Sequence, residues 1–181
     1  AGGVAPRTVN LRITAPVTFQ GQSAIEAEAT AFGLTGQTYI QQQGTRETVY
    51  GSVSQVTTGG TATTVNTPAL VMDSGLLPGQ SETATYTATT SYAGTPAPIP
   101  TSAITYTQVR RFEGFETVTV PAGTFADACK WTYEISTSAP PSTTVSTLWM
   151  SRGTGITVRI LSLGSDDVLV SGTINGKPIV P

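Results

Sequence analysis

Apolar and hydroxyl-bearing residues alternate with a period of two along much of this chain, a pattern that suits strands and defeats helices. From Thr83 to Thr89, Ala84, Tyr86 and Ala88 alternate with four threonines. Val9, Leu11 and Ile13 share one phase, with Asn10 and Arg12 on the other. Cys129, Trp131, Tyr133 and Ile135 oppose Lys130, Thr132 and Glu134. Ile156, Val158 and Ile160 line up likewise, as do Val168, Val170 and Ile174. Between Ile104 and Phe112, the apolar phase of Ile104, Tyr106 and Phe112 also holds Gln108 and Arg110. The chain contains 34 Thr and 15 Ser, and β-branched threonine favours extended backbone. No segment repeats apolar residues at helical spacing over three turns. Ala24–Phe32 is the one candidate short helix, although Glu26 and Glu28 alternate with Ile25, Ala27 and Ala29 well enough for a strand. The expected fold is all-β: a strongly curved, mainly antiparallel sheet, half-barrel or sandwich-like, with at most one short helix.

Turn residues punctuate the strands. Gly59-Gly60, Leu77-Pro78-Gly79, Gly164-Ser165-Asp166-Asp167 and Asn175-Gly176 are turn clusters. Asn175-Gly176 is the strongest hairpin signal, with Pro178 confining the return strand to an edge. A length of 181 residues suits one β-rich domain spanning 1–181, with a flexible lead over 1–6 and mobile loops at 57–68 and 93–102. Those loops are read from TTGGTATTVNTP and AGTPAPIPTS.

Charge is sparse and its distribution excludes several functions. Only 11% of residues are charged, the net charge is −2, and there is no His. Nucleic-acid binding needs basic patches that displace counterions, so no nucleic-acid partner is expected. No apolar run reaches the roughly 18 residues of a membrane-spanning helix, so no transmembrane segment is expected. Ser–His–Asp and Cys–His devices are impossible without His. Neither a Gly-x-Ser-x-Gly elbow nor a phosphate-binding glycine loop occurs. Cys129 has no partner base and reads as a buried, inert thiol on the face of Trp131. Glu26/Glu28 and Asp166/Asp167 read as solubilising charges rather than a hydrolytic or calcium-binding pair. Arg110, Arg111, Glu113 and Glu116 end a long stretch without cations and read as a solvated face. The sequence therefore offers no catalytic, cofactor-binding or metal-binding residue, and the expected protein is not an enzyme and holds no cofactor.

Low charge, abundant Thr, Gly and Pro and two Lys point to an exported protein. One Cys leaves no disulfide framework. Ala1–Pro6 has neither a basic nor an apolar signal region. Its small residues fit the stretch that follows an acylated cysteine, giving a lipid anchor upstream of Ala1, and equally fit a vector remnant.

The strings ETVTVPAGTFADACKWTYEIS and STLWMSRGTGITVRI carry the most specific pattern in the chain. They resemble a group of exported, often lipid-anchored bacterial proteins of uncharacterised function. Matching positions are Pro121, Ala122, Gly123, Thr124, Phe125, Cys129, Trp149, Gly153, Gly155 and Arg159, with Ile174-Asn175-Gly176 closing the pattern. Met150 departs where an aromatic is usual, and Arg152-Gly153-Thr154-Gly155 replaces a Pro-Gly-Val-Gly. The resemblance covers about a third of the chain. It implies a strongly curved sheet like the half-barrel of lipoprotein-localisation chaperones, and a location in the periplasm or on the outer-membrane surface. Read from the residues alone, the motif is structural. Pro121 sets a turn, Phe125 packs beneath it, and Trp131 and Trp149 supply the largest apolar areas of the core.

The expected function is a monomeric, non-enzymatic envelope module with a structural or interaction role, its Thr-rich loops exposed to an envelope protein partner or to antibodies as an antigen. The alternative is a carrier that holds an apolar ligand in the curved sheet. The apolar phase of the N-terminal half (Val9, Leu11, Ile13, Val17 and Phe19) is expected to fill the concave side and leave no room for one.

Overall fold

The computed structural model describes residues 4–31, 34–57 and 59–181, with side chains for 10–30, 35–57 and 59–181. Eleven strands follow one another, each hydrogen-bonded to the next. They are β1 (Val4–Phe19), β2 (Gln22–Ala31), β3 (Leu34–Gln43), β4 (Arg46–Gln55), β5 (Thr61–Asp73) and β6 (Ser81–Ala93). Then come β7 (Ser102–Val120), β8 (Gly123–Ser138), β9 (Pro141–Met150), β10 (Thr157–Ser162) and β11 (Ser165–Ile174). Neighbours along this meander are antiparallel. An odd number of alternating strands begins and ends in the same direction, so only a parallel pair can close the sheet. β1 and β11 form that pair, from Val4↔Asp166 to Leu11↔Ile174. The outcome is a closed 11-strand barrel, with no helix among the described residues. Closure removes the unpaired edges that an open sheet of this length would present.

The all-β, strongly curved sheet is as the alternation predicts, and its curvature runs on past a half-barrel to closure. Ala24–Ala31 lies in β2 and is strand, not helix; Phe32 is outside the described residues. Of the expected lead over 1–6, residues 4–6 belong to β1, which begins at Val4, and residues 1–3 are outside the described residues. The expected loop at 57–68 is mostly strand, since β5 starts at Thr61. Just before it, Gly59 N–H donates to Val56 O at 2.9 Å, and residue 58 is outside the described residues. Between β6 and β7, residues 94–101 form the connection placed there by the Pro-rich sequence. The Asn-Gly hairpin forms as expected. Asn175 and Gly176 both take positive φ (49° and 78°), and a two-residue β12 (Lys177–Pro178) returns along β11.

The β7–β8 hairpin is the longest, and it bends at two irregularities: one between Phe112 and Gly114, the other between Glu116 and Val118, opposite Asp127 at φ 56°. Its tip reaches β11, where Ala122 N–H donates to Leu169 O at 3.1 Å. Val118, Val120 and Phe125 there join Ala128, Trp149, Ile156, Val158, Leu169 and Ile179 in one packed cluster. Gly123 takes φ 136° at the tip, and a Cβ built on it would lie 2.3 Å from Pro181 Cγ. Only glycine fits that approach.

Candidate functional site

Residues paired directly across a ladder point to the same side of the sheet, which sorts the two tryptophans. Trp131 pairs with Leu148 and Phe112, whereas Trp149 pairs with Lys130, one residue out of phase. The tryptophans thus lie on opposite faces of the β8–β9 ladder. Trp149 belongs to the packed cluster and Trp131 looks into the barrel.

Inside the barrel is a cavity of about 830 Å³. Leu11, Ile13 and Ile40 face Phe112, Trp131 and Met150 across it, so strands from both halves of the chain form an apolar wall. Of the N-terminal apolar phase, Leu11 and Ile13 line the concavity instead of filling it, while Val17 and Phe19 are not among its lining residues. Leu11 and Ile13 stand at the wall, Phe19 stacks on Tyr39 with ring centroids 4.1 Å apart, and the side chain of Val9 is outside the described residues. The loops at 74–76 and 151–155 border the cavity, and Phe115 on its wall is 51% exposed, which marks the opening. Arg152 lies 4.9 Å from the Phe115 ring there.

A polar cluster interrupts the apolar wall. Arg110 is only 6% exposed, so its place is the interior and not the solvated face read from the sequence. β7 holds it opposite Glu82 of β6, and its Nε donates to Glu82 Oε1. Its guanidinium carbon lies 4.5 Å from the Trp131 ring, which in turn packs against Phe112 at 4.8 Å. Glu82 Oε1 also accepts from the backbone N–H of Asp73 at 3.0 Å, fixing the carboxylate. Gln108, two residues back on the same face, is buried and donates to Met72 Sδ at 3.7 Å. Glu47 lines the cavity as well; burial pushes its carboxyl above the ordinary range, against the pull of Arg110.

The other residues singled out in the sequence fall outside this cluster or at its border. Arg111, Glu113 and Glu116 are the solvated part of their group: Arg111 pairs loosely with Glu113 at 3.6 Å, and Glu116 accepts from Lys130 at 2.8 Å. Cys129 shares the cavity wall with Trp131 and Tyr133, as the alternation predicts, but it is half-buried and not sealed. Burial raises its thiol pKa, with Arg152 opposing. Asp166 forms a bidentate ion pair with Arg159 at 2.7 and 2.8 Å, and Ser165 donates to Asp167. Arg159 also lies 5.0 Å from the Trp149 ring, so two of the motif positions pack together. Glu26 and Glu28 flank the lumen residue Ala27 and hence point the other way.

Sequence reasoning missed the Arg110–Glu82 pair and Glu47. A signal for it was present: Gln108 and Arg110 occupy the apolar phase of β7, where a solvated side chain has no place.

The geometry defines a class, a closed β-barrel with a mostly apolar lumen and the Arg110–Glu82 ion pair set in its wall. Residues 59–174 match the family described as DUF3108-like, and the chain belongs to that family. The match runs from just before β5 to the end of β11 and includes both tryptophans, Arg110 and Glu82. No curated protein and no solved structure matches the chain.

Proposed function

We propose that this protein is a carrier of the bacterial envelope that holds an apolar ligand inside its barrel. The carrying observation is the lumen: about 830 Å³ falls within the roughly 300–1,000 Å³ typical of small-molecule sites. Its wall of Leu, Ile, Phe, Trp and Met excludes water from a ligand, and burial of apolar surface supplies affinity. The purely structural reading had depended on a filled concavity. The outer face supports a carrier surrounded by water, since hydroxyl pairs Thr85–Thr107, Thr87–Thr105 and Ser136–Thr143 stand where a lipid-facing barrel would present an apolar band. Low charge and the C-terminal likeness to exported, often lipid-anchored proteins support an envelope location.

Titration with N-phenylnaphthylamine, a neutral fluorophore, tests this reading. Saturable one-to-one binding with energy transfer from Trp131 is expected, and it persists in Trp149→Phe, whose ring lies outside the lumen. Ala27→Trp, which places an indole in the cavity, abolishes binding while the far-ultraviolet spectrum stays that of a β protein. Absence of saturable binding in the unmodified protein sinks the proposal.

A further inference from the structure

One carboxyl in the lumen wall has no partner among the described residues. Glu47 pairs with Gln42 of β3 and Met72 of β5, and all three side chains line the cavity. Paired residues point to the same side of the sheet, so the register turns the Glu47 carboxyl inward. Gln42 is exposed, and Ser74 and Gly75 beyond Met72 border the opening, so this row stands at the mouth. Glu47 is half-buried and makes no hydrogen bond or salt bridge among the described residues. The unpartnered side-chain atoms sealed from contact there are Arg110 Nη2 and Trp149 Nε1, so the Glu47 oxygens keep accessible surface.

Neither nearby cation fills the vacancy. Arg110 Nε donates to Glu82, so that guanidinium is already neutralised. Burial raises the Glu47 carboxyl pKa against the pull of Arg110, so its charged form lacks a full counter-ion. Arg152 follows β9, on the far side of an eleven-strand ring from β4, and lies exposed on the Phe115 ring. Arg110 (+1), Glu82 (−1) and Glu47 (−1) leave this side of the wall with a charge of −1.

That residual charge selects the head of a ligand. A hydrocarbon leaves the carboxyl unmet, and an anionic head adds repulsion. A hydroxyl supplies one donor and no charge. A primary ammonium supplies three donors and the missing positive charge. At the mouth it keeps part of its hydration, which lowers the desolvation cost of the pair.

We infer that the lumen takes a cationic amphiphile, a long-chain primary amine, whose ammonium donates to Glu47 at the mouth and whose chain lies against Ile40, Phe112 and Trp131. The inference rests on the carrier reading above and names its ligand class.

Displacement of bound N-phenylnaphthylamine by three dodecyl probes, each below its micelle-forming concentration, tests it on the unmodified protein at neutral pH. Dodecylammonium carries the charge and the donors, dodecanol a donor alone, and dodecanoate the opposite charge. Dodecylammonium is expected to displace the fluorophore at about tenfold lower concentration than dodecanol, the range of one hydrogen bond to a charged group, with dodecanoate weakest. Equal potency of ammonium and alcohol overturns the inference. Tightest binding by dodecanoate assigns the head to Arg152 and overturns it too. The preference for ammonium is expected to vanish in Glu47→Gln and to survive in Glu113→Gln, which removes the same charge from an exposed position. A preference that persists in Glu47→Gln, or falls equally in both variants, reports general attraction to an acidic protein and overturns the inference. Failure of the carrier reading shows separately, as absence of any fluorophore binding to displace. A covalent readout needs no variant. A water-soluble carbodiimide activates carboxyls, and the amine of bound dodecylamine attacks the activated Glu47 carboxyl to form an amide, with the urea released. Peptide mass mapping is expected to find that amide at Glu47 and to lose it under excess N-phenylnaphthylamine. Amides confined to other carboxylates overturn the inference even where Glu47→Gln fails to fold.

Discussion

Trp131 and Trp149 are almost equally buried, at 4% and 5% exposure, yet they stand in regions built on different principles. Around Trp149, Ala128 and Val158 are fully buried and Leu169 nearly so, with the β7–β8 tip pressed down on β11. Around Trp131 the neighbours are a guanidinium, one aromatic ring and an open cavity. The first region packs its side chains into one buried cluster, and the second opens onto a cavity beside a guanidinium. Burial measured one residue at a time does not separate them. What separates them is whether the far side of the side chain meets other atoms, and that contact determines the cost of truncation.

The largest expected contrast follows from that difference. Leu169→Ala should lower unfolding free energy by about 2–5 kcal/mol, because close-packed neighbours cannot collapse into the gap. Ile40→Ala in the lumen wall should cost less than about 2 kcal/mol, since the methylenes it removes already face a cavity. Urea unfolding monitored by tryptophan fluorescence measures both. Equal losses would erase the distinction between the two regions.

Next in size is the hairpin tip. Gly123→Ala introduces a Cβ into the space of Pro181 at a backbone angle that side chains rarely adopt, for an expected loss of about 1–3 kcal/mol. Pro181→Gly in the same chain removes the clash and leaves the angle, so partial recovery is expected. Complete recovery would assign the whole cost to packing, and no recovery would assign it to the backbone.

The packed region was the more legible of the two in the sequence. Pro121, Gly123 and Phe125 mark a turn with an aromatic beneath it, and Asn175-Gly176 marks the hairpin, because turn chemistry acts over a few neighbouring residues. Barrel closure leaves no such local mark, since it depends on the parity of eleven strands and on a pairing between Val4–Leu11 and Asp166–Ile174. The hollow leaves no local mark for the same reason. Alternation puts Leu11 and Ile13 on an apolar face, but it does not tell whether the opposite wall lies in contact or across a cavity. Sequence adjacency groups Arg110 with Arg111 and Glu113, whereas its partner Glu82 arrives from the adjoining strand. Its phase within β7 held the better clue.

A smaller effect probes the charge in the hollow region. The Glu47 carboxyl is pushed up by burial, so its favourable contribution is complete at pH below its unfolded value and is lost as pH rises through its folded one. Glu47→Gln removes that loss. At neutral pH the variant should be the more stable by no more than about 1 kcal/mol, because Arg110 offsets part of the penalty. The advantage should vanish in acid, where both forms are neutral at this position. Lower stability of the variant at neutral pH would show that Glu47 is a working ion-pair partner of Arg110, and the lumen would then be more anionic than its wall suggests.

The subtlest test concerns two adjacent residues. Ala128 is fully buried in the packed cluster, while Cys129 is half-buried on the cavity wall, so the boundary between the regions passes between them on β8. The native thiol of Cys129 should react completely with N-ethylmaleimide, more slowly than in denaturant because burial raises its pKa and disfavours the thiolate. N-Phenylnaphthylamine in the lumen should slow it further. Moving the sulfur by one residue, in Ala128→Cys/Cys129→Ala, places it where no reagent reaches, at an overpacking cost of about 1–3 kcal/mol. The native rate should then fall at least about tenfold and lose its dependence on the fluorophore. Two thiols one residue apart, one reporting on the lumen and the other silent, would fix the boundary at single-residue precision. Equal native rates at the two positions would mean that the cluster around Ala128 opens as readily as the lumen.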